Sequence, residues 1–99
     1  MRHKLQIDET YKKDISSAIQ ILRSAGCEQI FLFGSVTSRE TGDKSDIDLA
    51  IRGCPRGKFF HLLGRLLMEL DHRVDLVNLD NQDAFSKFLE KKGDLVQIA

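Results

Sequence analysis

Ile30-Phe-Leu-Phe-Gly-Ser35 and, ten residues further on, Asp46-Ile-Asp-Leu-Ala-Ile51 decide the fold of this 99-residue chain. The first stretch opens with a short continuous apolar run, which reads as a buried strand. Gly34 ends it where a bare backbone can approach a ligand closely, and Ser35 opens a predicted short helix over residues 36–41. The second stretch begins with two acids and continues apolar. Side chains on a strand alternate faces, so Asp46 and Asp48 point one way while Ile47, Leu49 and Ile51 point the other. A third run, Arg73-Val-Asp-Leu-Val-Asn-Leu79, repeats the pattern, with Val74 and Leu76 on one side and Asp75 on the other. If the two acid-bearing strands are neighbours over one core, all three carboxylates gather on the opposite face.

Outward from these strands the sequence reads as scaffold. Residues 8–25 suit an amphipathic helix, with Asp8 as N-cap, Tyr11, Ile15, Ala18, Ile19 and Leu22 on one face, and Gly26 as the stop. Cys54-Pro-Arg-Gly57 is a turn. Residues 58–71 form a helix whose apolar positions cover more than one face. Either it is wedged deeply against the sheet, or its spare apolar face meets another protein. Asp80 or Asn81 is expected to cap a last helix, with Ala84, Phe85, Phe88 and Leu89 inward and Gly93 at its end. Residues 95–98 read as a terminal strand or a frayed tail. The resulting class is α/β, a small sheet flanked by helices. The sheet is expected to be mixed, because a ten-residue link is short for a parallel crossover.

Three carboxylates on one face repel one another, and the repulsion pushes one or more toward the neutral form. A divalent cation reverses that cost. Hard oxygen donors suit Mg²⁺, which takes the rest of its shell from water and substrate phosphates. Two such ions can clamp the attacking and leaving oxygens of an in-line displacement at phosphorus. Gly34 and Ser35 supply a phosphate end, because turns and helix N-termini with exposed amides are anion sites. Arg39 and Lys44, in the link, are candidates to add positive charge there.

Gly-Ser, then Asp-x-Asp, then a third Asp on a later strand resembles the polymerase-beta-type nucleotidyltransferase superfamily, and at this size its minimal nucleotidyltransferase branch. The motif positions here are Gly34, Ser35, Asp46, Asp48 and Asp75, within a resemblance that runs from about Ile30 to Asp80. Relatives often carry Arg-Gly at the third and fourth positions of the link, where this chain has Ser38-Arg39. The resemblance implies a nucleotidyltransferase fold and transfer of a nucleoside monophosphate, AMP above all, from ATP or another nucleoside triphosphate to a hydroxyl. It implies two Mg²⁺ ions held by Asp46 and Asp48, with Asp75 on the catalytic one. It further implies a HEPN-type helical partner, for which such proteins act as antitoxins. The acceptor hydroxyl is then expected on the partner. The alternatives are a non-catalytic antitoxin that only masks its partner and a transferase for a small molecule of the aminoglycoside type.

Composition sets the frame. The length corresponds to one domain over residues 1–99. Fifteen basic and fifteen acidic residues give a formal net charge of zero, with no basic block, which disfavours a long nucleic acid as substrate. No apolar stretch approaches a membrane span and the first residues do not read as a secretory signal, so a cytoplasmic protein is expected. Cys27 and Cys54 read as separate reduced thiols beside turns. His3, His61 and His72 have no ligand spacing and are expected at or near the surface. The Gly42-Asp-Lys-Ser45 segment lacks the rest of a P-loop.

Overall fold

In the computed structural model, four strands bond in the order β3-β2-β1-β4, and residues 9–34, 46–93 and 95–99 are described. The elements are α1 (Glu9–Ser24), β1 (Gln29–Phe33), β2 (Ile47–Arg52), α2 (Phe59–Glu69), β3 (Val74–Asn78), α3 (Ala84–Lys92) and β4 (Val96–Gln97), with a 3-10 turn at Leu79–Asn81. β1 pairs antiparallel with β2 and β4, whereas β2 and β3 run parallel through the α2 crossover. The sheet is therefore mixed, for the reason the link lengths gave. The predicted helix over 36–41, and with it Ser35, Arg39 and Lys44, lies outside the described residues, as do the Asp8 cap and His3.

Strand alternation sends the sheet's two faces to two cores. Ile30, Leu32, Ile47, Leu49, Ile51, Val74 and Leu76 pack under α1 and α2. Phe31, Phe33 and Ala50 face the other way, where Leu79 and Leu89 cover them. Each Leu or Ile taken fully from water contributes roughly 1.5–3 kcal/mol, so the α1/α2 side carries most of the stability. On α1 the buried stripe is Tyr11, Ala18 and Leu22, with Ile15 and Ile19 packed at its margin and Ile21 buried beside it.

α1 also carries a buried acid. Asp14 accepts hydrogen bonds from the backbone N–H groups of Asp71 (3.1 Å) and His72 (2.8 Å), and its Oδ2 lies 2.7 Å from His72 Nδ1. The Tyr11 ring stacks on the His72 ring at 3.9 Å between centroids. Burial works to raise the pKa of Asp14. The bond to the His72 ring, the two amides and the His72 charge outweigh it and hold the carboxyl below its ordinary value. This cluster pins the turn that leads into β3.

Three expectations need correction. α3 is capped by Asp83, whose carboxylate accepts from Ser86 N–H at 2.9 Å, because Leu79–Asn81 is taken up by the 3-10 turn. Its inward residues are Ser86 and Leu89, while Ala84, Phe85 and Phe88 lie exposed. Leu89 packs into the core beside Leu79, and Ser86 Oγ donates to Asn78 O at 3.3 Å, which sets the inward face. Finally, Cys27 and Cys54 are joined in a disulfide. The β1–β2 pairing brings together residues that stand 27 apart in sequence, and sequence distance hid that. On α2 only Leu62 and Leu66 are buried, and Phe60 (80%) and Met68 (85%) are largely exposed, so the helix has the spare apolar face rather than a deep wedge. None of the described helices is long and apolar enough to cross a membrane.

Candidate active site

One row across the sheet reads Phe33, Asp48, Asp75: Phe33 opposes Asp48 in the antiparallel pair, and Asp48 opposes Asp75 in the parallel pair. Directly paired residues share a face, so both carboxylates project from the side that α3 partly covers. Asp46, half-buried, stands just before β2, two residues from Asp48. The two acid-containing apolar runs are neighbours, as their shared pattern suggested, and the parallel register sets Asp48 opposite Asp75.

Gly34 follows Phe33 and closes the row from the other side. Its φ is +79°, and a Cβ there would lie 2.0 Å from Asp48 Oδ2. A side chain is thus excluded twice, by backbone conformation and by the carboxylate behind it. The end of β1 and the acid-bearing start of β2 meet through this contact.

The electrostatics show the cost of the arrangement. Partial burial, the charge of Asp75 and a hydrogen bond shared with it, and the charge of Asp46 push the Asp48 carboxyl up to about 6. Arg52, a potential partner for Asp48, is instead paired with Glu90 on α3 and lies over the Phe31 ring at 5.6 Å. The negative charge of the row is therefore not answered by Arg52.

A cleft of about 630 Å³ opens beside Asp48 and Asp75. It wraps over β3, from Phe59, Leu63 and Leu67 of α2 to Phe33 and Phe85 on the carboxylate side, with Arg73 at the start of the strand. Phe33 and Phe85 meet edge to face at 6.3 Å. Of these lining residues, sequence alone could have offered Phe33, which shares the carboxylates' face by strand parity. Phe85 depended on which face of α3 packs inward and carried no local signal.

All the carboxylate donors are hard oxygens, the chemistry that suits Mg²⁺. Among the described residues, however, no group of three or more His, Cys, Asp or Glu side chains is drawn together as a ready-made metal cluster. Asp48 and Asp75 meet directly, and Asp46 acts on Asp48 through its charge.

A mixed sheet with an acid row backed by a Gly turn defines a nucleotidyltransferase-type domain, and comparisons with known proteins agree. Residues 16–98 match the family described as "Polymerase beta, Nucleotidyltransferase". The chain belongs to this family. A solved structure of a toxin–antitoxin with AMP-PNP is similar, with 26% identity and a TM-score of 0.65 over 87% of this chain and 70% of the other. So is a structure of the tri-AMPylated Shewanella oneidensis HEPN toxin in complex with MNT antitoxin, with 25% identity and a TM-score of 0.62 over 87% and 69%. A structure assigned provisionally as a minimal nucleotidyltransferase shares the fold over 97% of this chain and 99% of its own, with a TM-score of 0.67 at 22% identity. Comparison with curated proteins found no match.

Proposed function

We propose that this protein transfers a nucleoside monophosphate, AMP in the first instance, from a nucleoside triphosphate to a hydroxyl on a partner protein of the HEPN class, and that it thereby acts as an antitoxin. The observation that carries this reading is the row itself: Asp48 and Asp75 in register on neighbouring strands, with Gly34 packed against Asp48. The likeness to a tri-AMPylated toxin complex supports AMP as the group moved and a HEPN protein as its destination.

Asp46, Asp48 and Asp75 would hold the divalent cations. Bound Mg²⁺ would supply the positive charge that offsets the repulsion in the row and withdraws charge from the phosphates. The chain's own residues then divide the remaining work. Gly34 lets the triphosphate approach the sheet without a side chain in the way, and Ser35, with Arg39 and Lys44, is proposed to bind it. The acceptor oxygen forms a bond to the α-phosphorus, the bond from that phosphorus to the bridging oxygen breaks, and pyrophosphate leaves. Asp75, the more exposed member of the pair, takes the hydroxyl proton.

The test is label transfer. Purified protein, Mg²⁺, each α-labelled nucleotide in turn and a HEPN partner should yield labelled partner. Replacing both Asp46 and Asp48 with Asn should abolish the label while the fold persists. Undiminished labelling by that variant would sink the assignment.

A second reading rests on the exposed Phe60 and Met68, which suit a binding surface. In it, the protein neutralises its partner by covering it. Neutralisation by the double Asn variant as effective as that by wild type would favour this reading, and loss of neutralisation would reject it.

A further inference from the structure

β3 is the end strand of the sheet, and its outer edge is unpaired among the described residues. The phase of that edge follows from the ladder. Ile47 N–H donates to Arg73 O at 2.8 Å, and a parallel ladder engages every second residue, so the main chain of Arg73, Asp75 and Val77 faces β2. Val74 and Leu76 therefore turn their N–H and C=O groups to the open edge. An extended peptide can add to such an edge through main-chain hydrogen bonds, with pockets on the two faces reading alternate side chains.

We infer that the acceptor segment of the partner docks as a strand on the outer edge of β3 and presents its hydroxyl opposite Asp75. This rests on the transferase reading above and names the form its substrate takes. The cleft is continuous with the row: its walls include Asp48 and Asp75 themselves. A residue paired opposite Asp75 shares its face, with Cβ atoms about 4.5–5.5 Å apart, so its hydroxyl reaches the carboxylate side. The residues before and after it point to the other face, where half-buried Leu63 and half-exposed Leu67 of α2 offer apolar contact.

Charge narrows the occupant further. Asp48 and Asp75 repel an acid at the hydroxyl position. Arg73, two residues before Asp75, favours an acid two positions from the hydroxyl. The segment that fits is therefore extended, with Ser, Thr or Tyr at the centre, apolar residues on both sides of it and an acidic residue two places away. Gly34 lies across Asp48 from Asp75, so the triphosphate and this segment approach the row from opposite sides.

The experiment uses the full chain and synthetic peptides with a central Ser, Thr or Tyr flanked either by Leu or by Asp. Label transfer is measured with Mg²⁺ and the four α-labelled nucleotides, and amide exchange at Leu76 is followed with peptide alone. The expected result is labelling of the Leu-flanked peptides about 10-fold above the Asp-flanked ones, the effect of about 1.4 kcal/mol. Leu67→Glu, at an exposed position away from the carboxylates, should raise the peptide KM by about the same factor and leave kcat nearly unchanged. Leu76 amide exchange should slow when the Leu-flanked peptide binds.

Labelling indifferent to the flanks, with Leu76 exchange unchanged, would overturn the docking mode and leave the transferase reading intact. So would labelling of a HEPN partner but of no peptide. Protection of Leu76 without peptide, lost together with half the solution mass in Leu67→Glu, would assign the edge to a second copy of this chain and overturn the proposal. Peptide-dependent protection with no label from any nucleotide would uphold the surface and reject the transferase.

Discussion

Gly34 and Asp48 occupy space that admits no β-carbon between them: one built on Gly34 falls 2.0 Å from Asp48 Oδ2. The contact joins the end of β1 to the start of β2. It also offers a clean mutational comparison, because Gly57 has nearly the same φ, +78° against +79°, with nothing within 4 Å of its would-be β-carbon. Ala at either position incurs the left-handed backbone cost of about 1 kcal/mol. Gly34→Ala must in addition displace Asp48, and a misplacement of about 1 Å can cost about 100-fold in rate. Gly57→Ala should lose stability only, and Gly34→Ala both stability and nucleotide transfer. Denaturant titration and label transfer, run in parallel on the two variants, check this.

The crowding of Asp48 predicts that its removal stabilises the metal-free protein. Its pKa is raised in the folded state, so its favourable contribution is present below the unfolded value and is lost as pH rises through about 6. For a fully desolvated group a rise from 3.8 to about 6 corresponds to about 3 kcal/mol, and solvent screening of a part-buried carboxylate reduces this to about 1 kcal/mol. Asp48→Asn should therefore be about 1 kcal/mol more stable than wild type at pH 7 in EDTA and no more stable at pH 4. Added Mg²⁺ should raise the Tm of wild type more than that of the variant.

Asp14 gives the opposite sign. Its carboxyl is held below the ordinary value in the folded state, so its stabilisation is complete above the unfolded pKa near 3.8 and disappears as pH falls through the folded one. Asp14→Asn presents an N–H to the donors of His72 and should cost about 1.5–3 kcal/mol at neutral pH, the range for hydrogen bonds to a charged group. As pH falls below 3.8 and through the folded value, the gap between variant and wild type should narrow and then close. Urea unfolding from pH 7 to pH 2.5 measures both.

The disulfide links the turn before β1 to the turn after β2, across 27 residues that include Gly34, Asp46 and Asp48. Closing a span of that length stabilises by about 3.5 kcal/mol in the chain-entropy account. Cys54→Ser should lower stability by that amount without reductant, and reduction of wild type should bring it to the same level. Nucleotide transfer below the transition should change little, because the bond lies at the end of the strands away from the carboxylates.

Most of the fold was legible because its signals are local. Strand parity placed Asp48 and Asp75 on one face, link length set the antiparallel β1–β2 pair, and Gly26 and Gly93 ended their helices as read. What was not legible depends on contacts distant in sequence. The Cys27–Cys54 bond follows from strand register, and the burial of Asp14 follows from amides 57 and 58 residues away. The start of α3 was misread because Asp80 and Asn81, which belong to the 3-10 turn, also make plausible helix caps. Phe85 lines the cleft because the inward face of α3 is set by Ser86 and Leu89, contacts made across the fold.

The Asp14 cluster carries a consequence for genetics. A single carboxylate on α1 holds the amides of residues 71 and 72, and the strand they introduce delivers Asp75 to its row. A selection for loss of function should therefore recover Tyr11, Asp14 and His72 beside the site residues themselves. Alleles at these three positions should be conditional, failing when warm and recovering when cool, whereas alleles at Asp48 should fail at every temperature. A mutational map would then show two classes of position that look alike at one temperature and separate at another.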